Sequence, residues 1–205
     1  MSENTQKDRV SGNALTGAII SEMLKENFER LPDLDKKLFL YGPMYLAGNG
    51  ALAGLISNSL YRRGLNVTQA AITSSLPLAV MPFLTTFALY NGAVTGPLMS
   101  GDLNCPTCAL IRGALVGVIG GGLYPILLAL PVNFGLACRY NTAPMPEKGN
   151  ILRYWMDLSK PVLRKMRAVI LLQAVFGTYL ASRNVDTFIK LAELTFDPKE
   201  AELKH

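Results

Sequence analysis

Residues 113–138 read GALVGVIGGGLYPILLALPVNFGLAC and contain no charged side chain. Two further runs, 38–61 and 64–101, are also free of Asp, Glu, Lys and Arg. A helix needs roughly 20 mostly apolar residues to cross a bilayer, so each run is long enough to do so. The sequence therefore predicts a polytopic membrane protein rather than a soluble domain.

The composition of the 205-residue chain agrees with this interpretation. Half of the residues are apolar and 17% are charged, whereas soluble domains usually contain about 25% charged residues. The spans would occupy most of residues 38–182, which leaves no room for a separate soluble catalytic domain. The net charge of +5 is not arranged as a basic stripe with stacking aromatic residues, so we expect no nucleic acid and an interaction with anionic lipid.

We predict an all-α membrane protein with about four transmembrane helices and an N-terminal amphipathic helix. Residues 1–37 form the N-terminal arm, in which 14–30 place apolar side chains at helical spacing before Pro32 ends the helix. A membrane domain at 38–182 and a polar C-terminal tail at 183–205 follow. The spans are expected at about 38–60, 70–90, 112–136 and 168–182.

The fourth span, 168–182, is short. Its 15 uncharged residues would form roughly 22 Å of helix, so it crosses only if Arg167 and Arg183 extend to the interface. The alternative is a re-entrant or interfacial helix. The acidic residues of the arm argue against a secretory signal and against a cleavable mitochondrial presequence, so any organelle address is internal.

Small residues indicate where helices pack closely. Gly50 and Gly54 are four residues apart in the first span, and Gly113, Gly117 and Gly121 repeat in the third. This spacing lets two backbones approach one another. We expect the Gly50 and Gly54 pattern to pack inside the monomer rather than to form a homodimer, and we expect the glycine face of the third span to lie against it.

Other polar and proline residues of the spans also have structural interpretations. Pro77 and Pro82 should kink the second span, and nearby Ser and Thr hydroxyls are expected to bond the freed carbonyls. Four polar residues of the spans are expected to hydrogen-bond between helices rather than to bind substrate: Asn49, Asn58, Asn133 and Gln173.

No residue pattern points to catalysis. The only histidine is His205, and the predicted spans contain no Asp or Glu, so no general acid or base is in place. We predict no catalytic residue, no cofactor, no metal and no identifiable small-molecule substrate; the protein is not expected to be an enzyme.

Cys105 and Cys108 form a CxxC motif between the second and third spans. Only Cys138 and His205 could complete a zinc site, and no thioredoxin-like strand and helix pattern surrounds the motif. A local disulfide and two free thiols remain as alternatives, and the compartment decides between them.

Charge distribution predicts the orientation. With four spans, residues 61–69 and 139–167 lie on one side and contain nine Lys and Arg residues, so this side should face the negative compartment. The cysteines then lie on the more oxidising side, which favours the disulfide. Five basic side chains are expected at the lipid interface: Arg62, Arg63, Arg164, Lys165 and Arg167.

Several blocks together resemble the transmembrane protein 126 family, A type. They include Leu60-Tyr-Arg-Arg63, Pro82-Phe-Leu-Thr-Thr86, Gly121-Gly-Leu-Tyr-Pro125, Lys148-Gly-Asn-Ile-Leu152 and Ser159-Lys-Pro-Val162. The match covers about residues 40–180, and the arm matches least. The resemblance implies a multi-span protein of the mitochondrial inner membrane that helps assemble respiratory complex I. In that membrane, the basic loops predict that both termini lie in the intermembrane space.

Two functional hypotheses follow. The first is a non-enzymatic, chaperone-like assembly factor that holds complex I membrane-arm subunits and contacts other assembly factors. The alternative is a small-solute transporter or channel of the inner membrane, but the chain shows no polar midplane site and no convincing repeat between its halves. An oxidoreductase using the cysteine pair would lack both a scaffold and a base.

Overall fold

A computed structural model describes residues 28–103, 105–143 and 150–196. Within these residues the chain forms four long helices and no strand. The helices are α1 (Asp33–Gly64), α2 (Ala71–Met99), α3 (Pro106–Tyr140) and α4 (Ile151–Phe196). Segments of π-helix interrupt α2 at Asn91–Thr95 and α3 at Gly117–Leu123.

The four helices run alternately up and down. Asp35 near the start of α1 pairs with Arg183 late in α4, whereas Tyr61 near the end of α1 donates to Ser159 early in α4. Gly113 near the start of α3 lies against Gly177 of α4. The ends of α1 and α3 and the starts of α2 and α4 therefore lie together, at what we call the basic end of the bundle.

The prediction of an all-α membrane protein with about four long helices is confirmed. Among the described residues, three helical segments are long and apolar enough to cross a bilayer: Ala71–Met99, Pro106–Tyr140 and Arg153–Leu194. The first helix is less apolar because Asn49, Asn58 and several serines and glycines interrupt its hydrophobic residues. A membrane crossing by α1 stays a prediction.

The fourth helix is much longer than the sequence predicts. Residues 151–167, expected in a loop, and 183–196, expected in the polar tail, join 168–182 in one helix of 46 residues. Charged residues end an apolar run, but they do not end the backbone hydrogen bonding of a helix. Val162 and Leu191 are buried on its inner face, so packing extends the helix at both ends. The division into arm, membrane domain and tail stays a prediction.

The ends of α2 and α3 also differ from the ends of the predicted spans. The second helix continues beyond Tyr90 to Met99, and the third begins at Pro106 rather than near Arg112. Of the predicted N-terminal amphipathic helix at 14–30, only Phe28–Arg30 is described, as one turn of 3-10 helix. The rest of that prediction lies outside the described residues.

The third helix is central in the bundle. Half of its most apolar segment is buried, against 22% for α2. Glycine allows this position, because Gly117, Gly120, Gly121 and Gly122 are all buried and bring neighbouring backbones close. The second helix, by contrast, has most of its apolar surface on the outside of the bundle.

Candidate functional site

One close contact between α1 and α2 involves Gly54 and a carbonyl that a proline leaves without its helical partner. Pro82 has no N–H, so it cannot bond the carbonyl of Leu78 four residues earlier. A Cβ placed on Gly54 would overlap that carbonyl oxygen, which means that a Cα–H of Gly54 points at it. This geometry is a Cα–H···O contact, and it compensates the Leu78 carbonyl within an apolar environment.

The Gly121 carbonyl is also bonded by a side chain of another helix. It lies in the π-helical segment before Pro125, and the Gln173 amide of α4 donates to it at 3.3 Å. The expected cross-helix bond of Gln173 is therefore present. A Cβ on Gly121 would lie 2.7 Å from Gln173 Nε2, so the bond also requires glycine.

A third carbonyl near a proline is contacted close to the start of α3. The Arg112 guanidinium donates at 3.3 Å to the carbonyl of Ala93, which lies in the π-helical segment before Pro97. In these three places the contacting group comes from a different helix. Of the hydroxyls expected to bond the carbonyls freed by Pro77 and Pro82, Ser74 and Ser75 donate to the Ala71 carbonyl instead, and Thr86 Oγ1 has no partner among the described residues, so for these three the expectation is wrong.

The glycine face of α3 contacts α4 more than it contacts α1. A Cβ on Gly113 would lie 2.5 Å from the Gly177 carbonyl, and one on Gly117 would overlap the Gln173 carbonyl. Only Gly121 approaches Gly50, where a Cβ would lie 3.3 Å from the Gly121 Cα. The predicted placement of this face against Gly50 and Gly54 is wrong for its first half, because Gly177 offers α3 a partner without a side chain.

Asn58 and Asn133 connect three helices near the basic end. Asn133 Nδ2 of α3 donates to Asn58 Oδ1 of α1 at 2.9 Å, and Asn58 Nδ2 donates to Ser75 Oγ of α2 at 3.0 Å. Arg62 donates to Ser74 Oγ at 3.0 Å and to the Thr68 carbonyl at 2.9 Å. The predicted cross-helix hydrogen bonds of Asn58 and Asn133 are confirmed, whereas that of Asn49 stays a prediction.

A buried acid that no sequence pattern indicates lies at the opposite end of the bundle. The Asp35 side chain is only 5% exposed and pairs with Arg183 at 2.9 Å and with Lys190 at 2.6 Å. This group attaches the start of α1 to the last third of α4. Its members are about 150 residues apart in sequence, so no local pattern signals the pairing.

The basic residues predicted at the lipid interface occupy two positions at the basic end. Arg62 is bound to α2 and the following loop, whereas the Arg63 side chain is exposed. Arg164, Lys165 and Arg167 lie on the outer face of α4. Val162 and Met166 on the inner face of the same turns pack with Ala53 and Leu78, well within α1 and α2.

Cys105 and Cys108 lie where α3 begins. The Cys105 Sγ accepts a hydrogen bond from the Cys108 N–H at 3.3 Å and caps the helix. Both thiols are free and exposed. Hydrogen bonds from the Cys108 thiol and backbone lower the pKa of Cys105, because they stabilise its thiolate form. The disulfide stays a prediction.

The outer surface is strongly apolar. On α2, four exposed residues repeat every four positions and form what we call the α2 stripe: Ile72, Leu76, Val80 and Leu84. A similar row on α4 contains Leu171, Val175 and Tyr179. Within the described part of the chain, no three His, Cys, Asp or Glu side chains are grouped in a way that could hold a metal ion.

Comparison with known proteins agrees with the resemblance in the sequence. The model of the family described as Transmembrane protein 126 matches residues 18–198. The chain belongs to this family. It is 53% identical to Transmembrane protein 126A of Mus musculus over 176 residues, which is 86% of this chain and 90% of the relative. Identity to the Homo sapiens protein of the same name is 49%, over 86% of this chain and 91% of that relative.

The family also contains a more distant B type. The chain is 33% identical to the Mus musculus protein named "Complex I assembly factor TMEM126B, mitochondrial" over 161 residues, covering 78% of this chain and 69% of that relative. The predicted resemblance to the A type is therefore confirmed. No solved structure matches the chain.

Two blocks that carry the resemblance to the transmembrane protein 126 family contact each other at the basic end. Tyr61 belongs to the Leu60–Arg63 block, and its hydroxyl donates at 3.1 Å to Ser159 of the Ser159–Val162 block. Tyr61, Val162 and Met166 are buried in the same apolar cluster. The blocks are about 100 residues apart in sequence, and the up-and-down fold brings them together.

Proposed function

We propose that the protein is a non-enzymatic assembly factor for mitochondrial respiratory complex I. It holds hydrophobic membrane-arm subunits against its helices until they join the complex, and it contacts other assembly factors. The observation that carries the proposal is the 33% identity, over 78% of this chain, to a relative named as a complex I assembly factor. The names of the A-type relatives state no such role.

The shape of the bundle supports this role. A holding factor needs an apolar helix surface that a hydrophobic subunit can cover in the membrane. The α2 stripe provides such a surface, because its four side chains are between 46% and 83% exposed. We assign the subunit contact to α2, since it is less buried than the apolar segments of α3 and α4.

The proposed location is the mitochondrial inner membrane. The name of the B-type relatives supports the organelle, and the charge distribution supports the orientation. The basic end of the bundle faces the matrix, where cationic loops are normally retained. Both termini and the CxxC motif then face the intermembrane space.

Site-specific photo-crosslinking tests the proposed contact. A photoreactive residue replaces Val80 in the α2 stripe of the full chain, and mitochondria are irradiated during synthesis of mitochondrially encoded subunits. We expect crosslinks to hydrophobic subunits of the complex I membrane arm, and we expect them to disappear when mitochondrial synthesis is blocked.

A photoreactive residue at Val175 provides the matched control. Val175 is 69% exposed on the outer row of α4, so it reports general contacts of an apolar helix in the membrane. Equal crosslinking of complex I subunits from both positions would contradict the assignment to α2. Absence of complex I subunits from both, together with altered solute uptake in mitochondria lacking the protein, would favour the transporter alternative.

A further inference from the structure

A cleft at the basic end separates the end of α1 from the early part of α4. Its volume is about 240 Å³, and its walls include Leu60 and Arg63 of α1 and Leu158, Val162 and Lys165 of α4. The Tyr61–Ser159 hydrogen bond, 3.1 Å long, joins the two helices beside the cleft. The cleft thus has an apolar floor and one cationic residue on each side.

The two cations of this cleft have no acidic partner in the described part of the chain. The nearby Asp157 carboxylate is paired with Lys160 at 2.8 Å. Arg63 and Lys165 are both exposed, and neither forms an ion pair with a described acid. The cleft therefore has a positive charge that an anion could neutralise.

The depth of the cleft indicates where that anion comes from. Val162 and Met166 pack against Tyr61, Ala53 and Leu78, so this part of α4 lies beside the last apolar turns of α1. Cationic side chains at such a depth are costly unless they extend to the interface or pair with a charge. The phosphate of a lipid headgroup is available at that level.

We propose that this cleft binds one anionic phospholipid. Its phosphate lies between Arg63 and Lys165, and an acyl chain follows Leu60 and Val162. A second hollow on the outer face of α4 is lined by Leu163, Ile170, Arg164, Arg167 and Lys160, of which Lys160 is paired with Asp157. A free phosphate ion would use the charges but would leave the apolar floor uncovered. This inference is independent of the assembly role.

Quenching of tryptophan fluorescence by brominated lipid tests the proposal. Trp155 is the only tryptophan of the chain, and it packs with the same apolar cluster as Leu158 and Ile170 near the cleft. The full chain is reconstituted in phosphatidylcholine vesicles that contain a minor fraction of phosphatidylglycerol brominated on its acyl chains. We expect quenching several-fold above that produced by the same fraction of brominated phosphatidylcholine.

Charge-matched variants distinguish a specific site from a basic surface. The double variant Arg63→Gln, Lys165→Gln should lose the preference for phosphatidylglycerol, whereas Arg63→Lys, Lys165→Arg should keep it. The control Arg139→Gln, Arg153→Gln removes two exposed charges from the same end of the bundle and should also keep the preference. Circular dichroism verifies that each variant is folded.

Three outcomes would overturn the proposal. They are equal quenching by both lipids in the unaltered chain, equal loss in the cleft and control variants, and loss of the preference when millimolar inorganic phosphate is added. The last result would identify a site for free phosphate. Photo-crosslinking from Val80 is a separate measurement, so a failure of the proposed function would not affect this result.

Discussion

Replacing Gly54 by alanine should destabilise the bundle, although alanine is the better helix former. The new Cβ would overlap the carbonyl oxygen of Leu78 and lie 3.3 Å from Pro82 Cγ. Because both obstacles are parts of a continuous helix rather than the end of a flexible side chain, α1 and α2 must move apart. The Leu78 carbonyl would then lose the Cα–H contact that compensates for the missing N–H of Pro82.

The size of the effect follows from three contributions. Forcing an extra carbon into a packed interface costs about 1–3 kcal/mol. Loss of one Cα–H···O contact adds about 0.5–1 kcal/mol. The helix preference of alanine over glycine offsets roughly 1 kcal/mol of this cost. We therefore expect the free energy of unfolding to fall by about 0.5–3 kcal/mol.

Unfolding of the purified full chain by increasing SDS in mixed micelles, followed by far-UV circular dichroism, measures this change. Gly48→Ala is the matched control, because Gly48 lies in the same helix and a Cβ there would meet nothing within 4 Å. Its expected effect is a stabilisation of about 0.5–1 kcal/mol. The two substitutions are chemically identical and should differ in sign.

A Gly54→Ala variant that unfolds at the same SDS fraction as the Gly48→Ala variant would contradict this expectation. Equal stability would mean that α1 and α2 do not approach each other closely at Gly54. The partner of the Leu78 carbonyl would then have to be sought elsewhere.

Further predictions concern other parts of the bundle. Gly117→Leu should lower the steady-state amount of protein far more than Leu127→Ala, because Gly117 meets the backbone of α4 whereas Leu127 is 68% exposed; equal amounts would place this glycine face towards lipid. Asp35→Ala should cost about 1–3 kcal/mol, since it leaves two half-exposed cations unpaired, while Asp186→Ala at an exposed position should change little in the same SDS titration. If the CxxC motif is reduced, alkylation of Cys105 should accelerate at a lower pH than for an ordinary thiol, because its pKa is lowered; labelling only after reduction would instead show the disulfide. Protease added to mitochondria with ruptured outer membranes should remove tags from both termini, and protection of both tags would contradict the proposed orientation.

The glycine and asparagine residues illustrate how much of the site was predictable. Their spacing and polarity within apolar runs indicate helix contacts, and Asn58, Asn133 and Gln173 do bond between helices. The partner helix was less predictable. Gly113 and Gly117 of α3 pack against α4 because Gly177 of that helix has no side chain. No sequence pattern had indicated Gly177.

The ends of α4 illustrate the limits of charge as a signal. The uncharged run 168–182 predicts a short span, yet the helix covers Ile151–Phe196. The uncharged run shows which residues can be surrounded by hydrocarbon. The length of the helix depends instead on which residues pack against neighbouring helices. Three residues outside the uncharged run are buried because other parts of the bundle pack against the inner face of α4 there: Val162, Met166 and Leu191.

The membrane character, the helical class and the approximate number of helices could be read from the sequence, because they depend on the transfer of charges and backbone groups into hydrocarbon. The prolines also indicate where the hydrogen bonding of a helix is interrupted. Which groups contact the carbonyls near those prolines became clear only from the fold: Gly54 for Leu78, Gln173 for Gly121 and Arg112 for Ala93. Such a contact depends on the distance between two helices, and the alternation of long antiparallel helices brings together residues as remote in sequence as Asp35 and Lys190.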